Sequence, residues 1–306
     1  MSDFKPHDLL LLLLKIVDFS NNDLERDISL LLSTNGSSLC VNSPFIRFLD
    51  FSFNHYSGQI PSGLGGCSKL KVFRAGFNFL SGPLPPDIYS ATRLAKLELY
   101  RNNIGGKLPG NIEVMLVNAN CITGSIPGWL STLPRLFFLQ LDDNLLSGEF
   151  PKELCALPAL WQHPIEIGHL KQLQRLGLSH NNLLGKILEQ MSDLINLEVL
   201  ELSTNQLTGE IPASMVNLHF LRWLSVANDK LHGLIPSGTQ LQSFDASHYE
   251  GYLGLCGPPL PNQCLNTRGN KGDKDIHDEE NRHAVPWLHI SVVLGFITGF
   301  WGSVVL

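Results

Sequence analysis

The glycines of GLGGC, Gly63 to Cys67, could in principle cradle a phosphate with their backbone amides. No Lys-Ser or Lys-Thr pair follows them directly, so they read as glycines of a surface loop. Eleven histidines are scattered without metal-ligand spacing. No GxSxG, no kinase glycine loop with its lysine, and no HRD or DFG motif occurs. The chain therefore offers no catalytic constellation, no metal site and no cofactor site, and an enzyme is not expected. Acids outnumber bases by 28 to 22 with no basic stripe, which argues against nucleic acid as a partner.

Binding is the chemistry left. Three columns of residues recur at a fixed spacing. One reads Phe53, Phe77, Arg101, Asp143, His180, Thr204, Asn228. Its neighbour reads Ser52, Gly76, Tyr100, Asp142, Ser179, Ser203, Ala227. The third reads Asp50, Arg74, Glu98, Gln140, Gly177, Glu201, Ser225. Arg74, Phe77, Tyr100 and Arg101, with Phe53 beside them, form an aromatic and basic cluster. Those residue types anchor protein interfaces. Asp142 and Asp143 read as solvated acids.

The columns exist because the chain repeats. The pattern is L-x-x-L-x-L-x-x-N-x-L-x-G-x-I-P, as in IRFLDFSFNHYSGQIPSGL from Ile46 to Leu64. Its asparagine column runs Asn22, Asn54, Asn78, Asn102, Asn120, Asn144, Asn181, Asn205, then Asp229, mostly in steps of 24 residues. Alternation in Leu49-x-Phe51 gives a short strand with one buried face. The asparagine amide can satisfy backbone groups of neighbouring coils, whereas an aspartate at 229 cannot supply the amide's donors. Gly58 tolerates unusual backbone angles. Ile60-Pro61 starts the return over the convex side. One coil cannot bury its apolar face, but stacked coils can. The expected fold is an α/β leucine-rich repeat solenoid of about nine repeats with a 24-residue period.

Two steps break the period. Asn102 to Asn120 is only 18 residues, and Asn144 to Asn181 is 37. The longer step contains ALPALWQHPIEIGHLKQL, Ala156 to Leu173.

The domains divide as 1–240 for the solenoid, 241–267 for a C-terminal cap, 268–283 for a polar juxtamembrane linker, and 284–306 for a transmembrane helix. Cys256 and Cys264 lie close together in the cap and can form a disulfide. Cys40, Cys67, Cys121 and Cys155 lack metal spacing and read as small buried hydrophobes. AVPWLHISVVLGFITGFWGSVVL, from Ala284 to Leu306, contains no Lys, Arg, Asp or Glu and is long enough to cross a bilayer. Ser291, Gly295, Gly299 and Ser303 fall on one face of that helix, where small residues permit close helix packing. At the other end, Leu9 to Leu14 flows into a repeat, with no evident signal peptide and no N-terminal cap. Asn35 opens an N-x-S sequon, a glycosylation site if it enters the secretory lumen.

The G-x-I-P ending and the period resemble the plant-specific class of leucine-rich repeat. SPFIRFLDFSFNHYSGQIPSGLGGCSKLKVFRAGFNFLSGPLPPDIYSAT is similar to plant tyrosine-sulfated glycopeptide and phytosulfokine receptor ectodomains. IPSGTQLQSFDASHYEGYLGLCGPPL and the apolar segment resemble plant receptor-like proteins that lack a kinase. In the receptor family an island domain follows the FPKEL…LPAL repeat and contacts the sulfated peptide. Here Gln162 joins His163 directly, so the resemblance implies that the island and the kinase are both absent. It also implies a single-pass plasma-membrane protein with extracellular repeats. Its ligand would be a peptide or protein, and a co-receptor kinase would be engaged through the membrane helix. Two alternatives stand beside this: a degraded paralogue without ligand, and a solenoid inhibitor or scaffold that binds another protein. Repeats in the cytosol on a tail anchor are the rival topology.

Overall fold

The computed structural model describes residues 13–264, apart from 35–36, 107–112, 129, 131–134, 153–171, 239 and 252–253. The expectations for Asn35, Cys155, the Gln162–His163 join, the linker and the 284–306 segment all lie outside the described residues. Among the described residues, no helix is long and apolar enough to cross a membrane.

Each L-x-x-L-x-L run forms a three-residue strand. In chain order these are β1 (Ile16–Asp18), β2 (Phe48–Asp50), β3 (Val72–Arg74), β4 (Lys96–Glu98), β5 (Val114–Leu116), β6 (Phe138–Gln140), β7 (Arg175–Gly177), β8 (Val199–Glu201) and β9 (Trp223–Ser225). They pair in that order, all parallel, as one sheet of 9 strands. Alternation sets the faces. In β3, Phe73 is fully buried while Val72 and Arg74 stay half-exposed on the other face. The centre residues Leu49, Leu97, Leu139 and Leu200 are likewise fully buried, joining one continuous apolar core.

Neither irregular step interrupts the sheet. β4 pairs with β5 across the 18-residue step, and β6 pairs with β7 across the 37-residue step. The gain and loss of chain therefore fall away from the strands.

The asparagine column is the second stabilising element. Asn78 is buried; its Oδ1 accepts from the Tyr56 N–H, and its Nδ2 donates to the carbonyls of Phe51, Ala75 and Gly76. The same pattern recurs at Asn120, Asn144, Asn181 and Asn205. At Asn181 it bridges the long step, donating to Leu141 O and accepting from Leu146 N. Asp229 keeps half of it. Its Oδ1 accepts from Leu207 N at 2.9 Å, while Oδ2 is buried without a hydrogen-bond partner.

The convex side is built of short 3-10 turns such as Pro86–Ser90, Glu189–Asp193 and Ala213–Asn217. Here GLGGC finds its role. Gly63 N and Gly65 N donate to Asp87 Oδ2 at 2.7 and 2.8 Å, so the loop holds a carboxylate of the next coil. A Cβ on Gly65 would lie 2.0 Å from the Asp87 carbonyl oxygen, which fixes glycine at that position.

Three cysteine assignments are corrected. Cys40 and Cys67 form a disulfide with Cα atoms 5.0 Å apart, and Cys121 is an exposed free thiol. Sequence spacing missed the bond because its partners sit on successive coils, 27 residues apart. Cys256 and Cys264 are also joined, closing the C-terminal end. There the ladder runs on beyond β9, with Val226 N donating to His248 O and Asn228 N to Glu250 O. Tyr249 is buried, and its hydroxyl donates to Leu241 O.

The opposite end is barer. β1 pairs on one side only among the described strands, and Ile16 and Phe19 are 64 % and 42 % exposed. Protection from hydrogen exchange should therefore be lower over 16–28 than over 197–202 by at least an order of magnitude, because β1 is held by a strand on one side only among the described strands. Equal protection in the two segments would contradict this.

Candidate functional site

Arg74, Phe77, Tyr100 and Arg101 come together on two neighbouring coils, but they play different parts. Arg74 on β3 lies between two acids. Its guanidinium is 3.0 Å from Glu98 on β4 and 3.7 Å from Asp50 on β2, and it also covers the Phe48 ring at 5.5 Å. Its charge is thus already balanced within the sheet. Tyr100 lies across Gly76: a Cβ there would come within 2.8 Å of the ring. Burial, then the nearby Glu98 and Asp50 carboxylates, raise the Tyr100 hydroxyl pKa, so the ring stays neutral. Gly76→Val should displace Tyr100 and so disturb the ring contact between Phe77 and Tyr100. The check is a changed Tyr100 NMR ring shift; an unmoved ring would refute it.

Phe53, Phe77 and Arg101 belong to the turn after the strand. Their φ values are 57°, 54° and 54°, in the left-handed region. Seven of the nine strands are followed by the same turn at residues other than phenylalanine, including Ala119, Asp143 and Asn228. The conformation is thus a property of the coil, set by the ladder asparagine that follows. Bulky residues disfavour it, so Phe at 53 and 77 carries a cost that the turn alone does not require. The rings use the exposure it gives. Phe53 and Phe77 stack at 4.5 Å, Phe77 meets Tyr100 edge-on at 5.4 Å, and Arg101 lies over Phe77 at 4.9 Å.

A second column runs alongside, one residue past the asparagines. His55 stacks on Phe79 at 5.6 Å, and His55 Nδ1 is 2.8 Å from Asp23. Between the two columns lies an open groove of about 550 Å³, floored by Asn54 and Asn78 and reaching Ala119. His55, Phe79 and Ala119 were not singled out by sequence reasoning. The signal available was the aromatic recurrence at the position after the asparagine, which lies outside the strand alternation. Of the four residues expected from sequence, Phe77 and Arg101 line the groove, and Arg74 and Tyr100 do not.

Asp142 is corrected. It is buried, and its Oδ1 accepts from Ser179 N and Oγ, both at 2.9 Å. Burial pushes its carboxyl pKa up despite those bonds, and its charge raises that of Glu201, where burial is again the main cause. Gly177 makes room, since a Cβ there would be 2.2 Å from Asp142 Oδ2. Asp143, by contrast, is exposed, 3.8 Å from His180. Among the described residues no group of three or more His, Cys, Asp or Glu could hold a metal.

A parallel-strand solenoid with an asparagine ladder has the architecture of the leucine-rich repeat class. The Leucine Rich Repeat family matches residues 45–67, 172–194 and 196–218. Receptor-like protein EIX2 of tomato, Solanum lycopersicum, is 42% identical over 71 residues, covering 22% of this chain and 7% of that protein. Receptor-like protein 35 of Arabidopsis thaliana is 28% identical over 150 residues, covering 46% of this chain and 14% of its own length. The chain thus spans only a small part of these relatives. Among solved structures, the Arabidopsis thaliana GASSHO1/SCHENGEN3 ectodomain, in complex with CASPARIAN STRIP INTEGRITY FACTOR 2, is similar with a TM-score of 0.69 and 29% identity, over 82% of this chain and 31% of that one. The Arabidopsis receptor kinase HAESA, in complex with the peptide hormone IDA and the co-receptor SERK1, gives 0.67 and 29%, over 82% of this chain and 43% of that one. In its repeats, relatives and structural neighbours the chain resembles plant leucine-rich repeat receptor-like proteins.

Proposed function

We propose that this chain is the recognition module of a membrane-anchored, kinase-less receptor-like protein that binds a peptide or protein ligand outside the cell and signals through partner receptors. The observation that carries the reading is the exposed groove. Phe53, Phe77 and Phe79 are 43 %, 36 % and 64 % exposed, whereas Phe51 and Phe73, whose side chains point to the core face, are buried. Exposed rings with an adjacent guanidinium are the composition of a binding anchor. One structural neighbour is a receptor in complex with a peptide hormone and a co-receptor, which supports a peptide or protein ligand here. In this reading residues 284–306 supply the anchor, 268–283 the linker and Asn35 a glycan. The face of Ser291, Gly295, Gly299 and Ser303 packs on a partner receptor's helix. The continuous ladder and single core weigh against a degraded paralogue.

The test is retention of secreted plant peptides and proteins on the immobilised full chain, against a variant with Phe77, Tyr100 and Arg101 all changed to Ala. At least one species should be retained by the former and reduced tenfold or more on the latter. If every retained species holds equally well to both, or if none is retained, the reading fails.

A further inference from the structure

The groove also carries information about what it binds, on the reading that it is a recognition site. Its apolar part is the Phe53–Phe77 stack with Phe79 facing it. The Asn54 and Asn78 amides on its floor are fully engaged by the ladder, so they are not free to read polar groups of a sugar. The charged part is Arg101. Unlike Arg74, it is exposed and makes no ion pair among the described residues. Beyond it the column continues to Ala119, which is too small to form a wall, and then to Asp143, whose side chain is 58% exposed. Coils stack about 4.8 Å apart, so Asp143 lies about 10 Å from Arg101 along the column, the length of about three extended residues.

We propose that the groove takes an internal stretch of extended peptide, with an apolar side chain against the Phe53–Phe77 stack, an acidic side chain on Arg101, and a basic side chain about three residues further on at Asp143. The charges fix the direction in which the segment lies across the coils. The small residue at 119 lets the peptide pass instead of ending there.

The test is selection of random dodecapeptides, joined to their carrier at both ends, on the full chain in detergent micelles. The enriched sequences are then made N-acetylated and C-amidated, and their affinities measured. Enrichment of an apolar residue, an acid and, about three positions on, a base is the expected result. Changing the peptide acid to its amide should weaken binding about tenfold or more, as should Arg101→Asn. Asparagine tolerates the left-handed backbone at 101, so the coil is kept. The two changes together should cost no more than either alone. Enriched peptides that bind independently of Arg101 or of any acid would overturn the proposal and leave the receptor reading standing. Peptides that need a free C-terminal carboxylate would overturn it too. Failure to enrich any peptide would count against the proposal and against peptide recognition itself.

Discussion

Changing Cys40 and Cys67 together to Ser lowers stability by about 3–4 kcal/mol, the loop-closure value for a bond of this span. The pair is separated by 27 residues, so the bond removes much freedom from the unfolded chain. It also has local consequences. Cys40 and Cys67 are both buried, at 5% and 3% exposure, and join the end of the first coil to the end of the second. The segment they pin leads from the bare first coil into β2. The double variant should therefore unfold first at residues 13–50, seen as a separate early transition in hydrogen exchange. The matching change at Cys256 and Cys264, separated by 8, closes a shorter loop and should cost less. A larger loss from the second pair would contradict the assignment.

Asp229→Asn raises stability by about 1–3 kcal/mol above pH 7, the cost of a buried polar atom left unpaired. Eight of nine ladder positions carry an amide with donors; Asp229 offers a carboxyl whose Oδ2 is buried and unpartnered. A protonated carboxyl regains a donor. Burial accordingly pushes its pKa up to about 7, against the opposing bonds from the Leu207 and Asn205 backbone. The neighbouring charged residues Lys230 and Glu250 are exposed, and no charge effect from either contributes to the shift. The sign follows. The unfolded aspartate releases its proton near 3.8, the folded one near 7. Between these values the folded state holds more protons, so stability falls as pH rises from about 4 to about 7 and is level above. Asp229→Asn removes that slope. Melting temperatures across pH 4 to 8 check it; parallel curves for the two proteins would show that Asp229 is ionised throughout.

The repeat made most of this architecture legible from the residues. Leu49, Phe73 and Leu97 lie on the buried face that alternation assigns them, and the asparagine column is the ladder. Legibility ended where contacts cross coils without a periodic signature. Cys40 and Cys67 belong to successive coils, and nothing in their spacing marks them as partners. Asp142 reads as a solvated acid from its column, but Gly177 on the next strand opens the space that buries it. The same holds in the groove. Phe53 and Phe77 were legible as a column, yet their left-handed turn and the facing His55–Phe79 pair come from the coil geometry. Arg74 and Arg101 look alike in sequence; only the positions of Asp50 and Glu98 separate a neutralised arginine from an available one.

The receptor reading requires the solenoid to face the outside of the cell. The decisive measurement is alkylation of the intact chain in plant cells before and after reduction, with thiols assigned by mass spectrometry. Disulfides persist in the secretory lumen and not in the cytosol. Cys121 should react without reduction, while Cys40, Cys67, Cys256 and Cys264 should react only after it. A glycosidase-sensitive mobility shift lost in Asn35→Gln should accompany that result. An unglycosylated chain with those four cysteines free from the start would put the repeats in the cytosol and contradict the receptor reading.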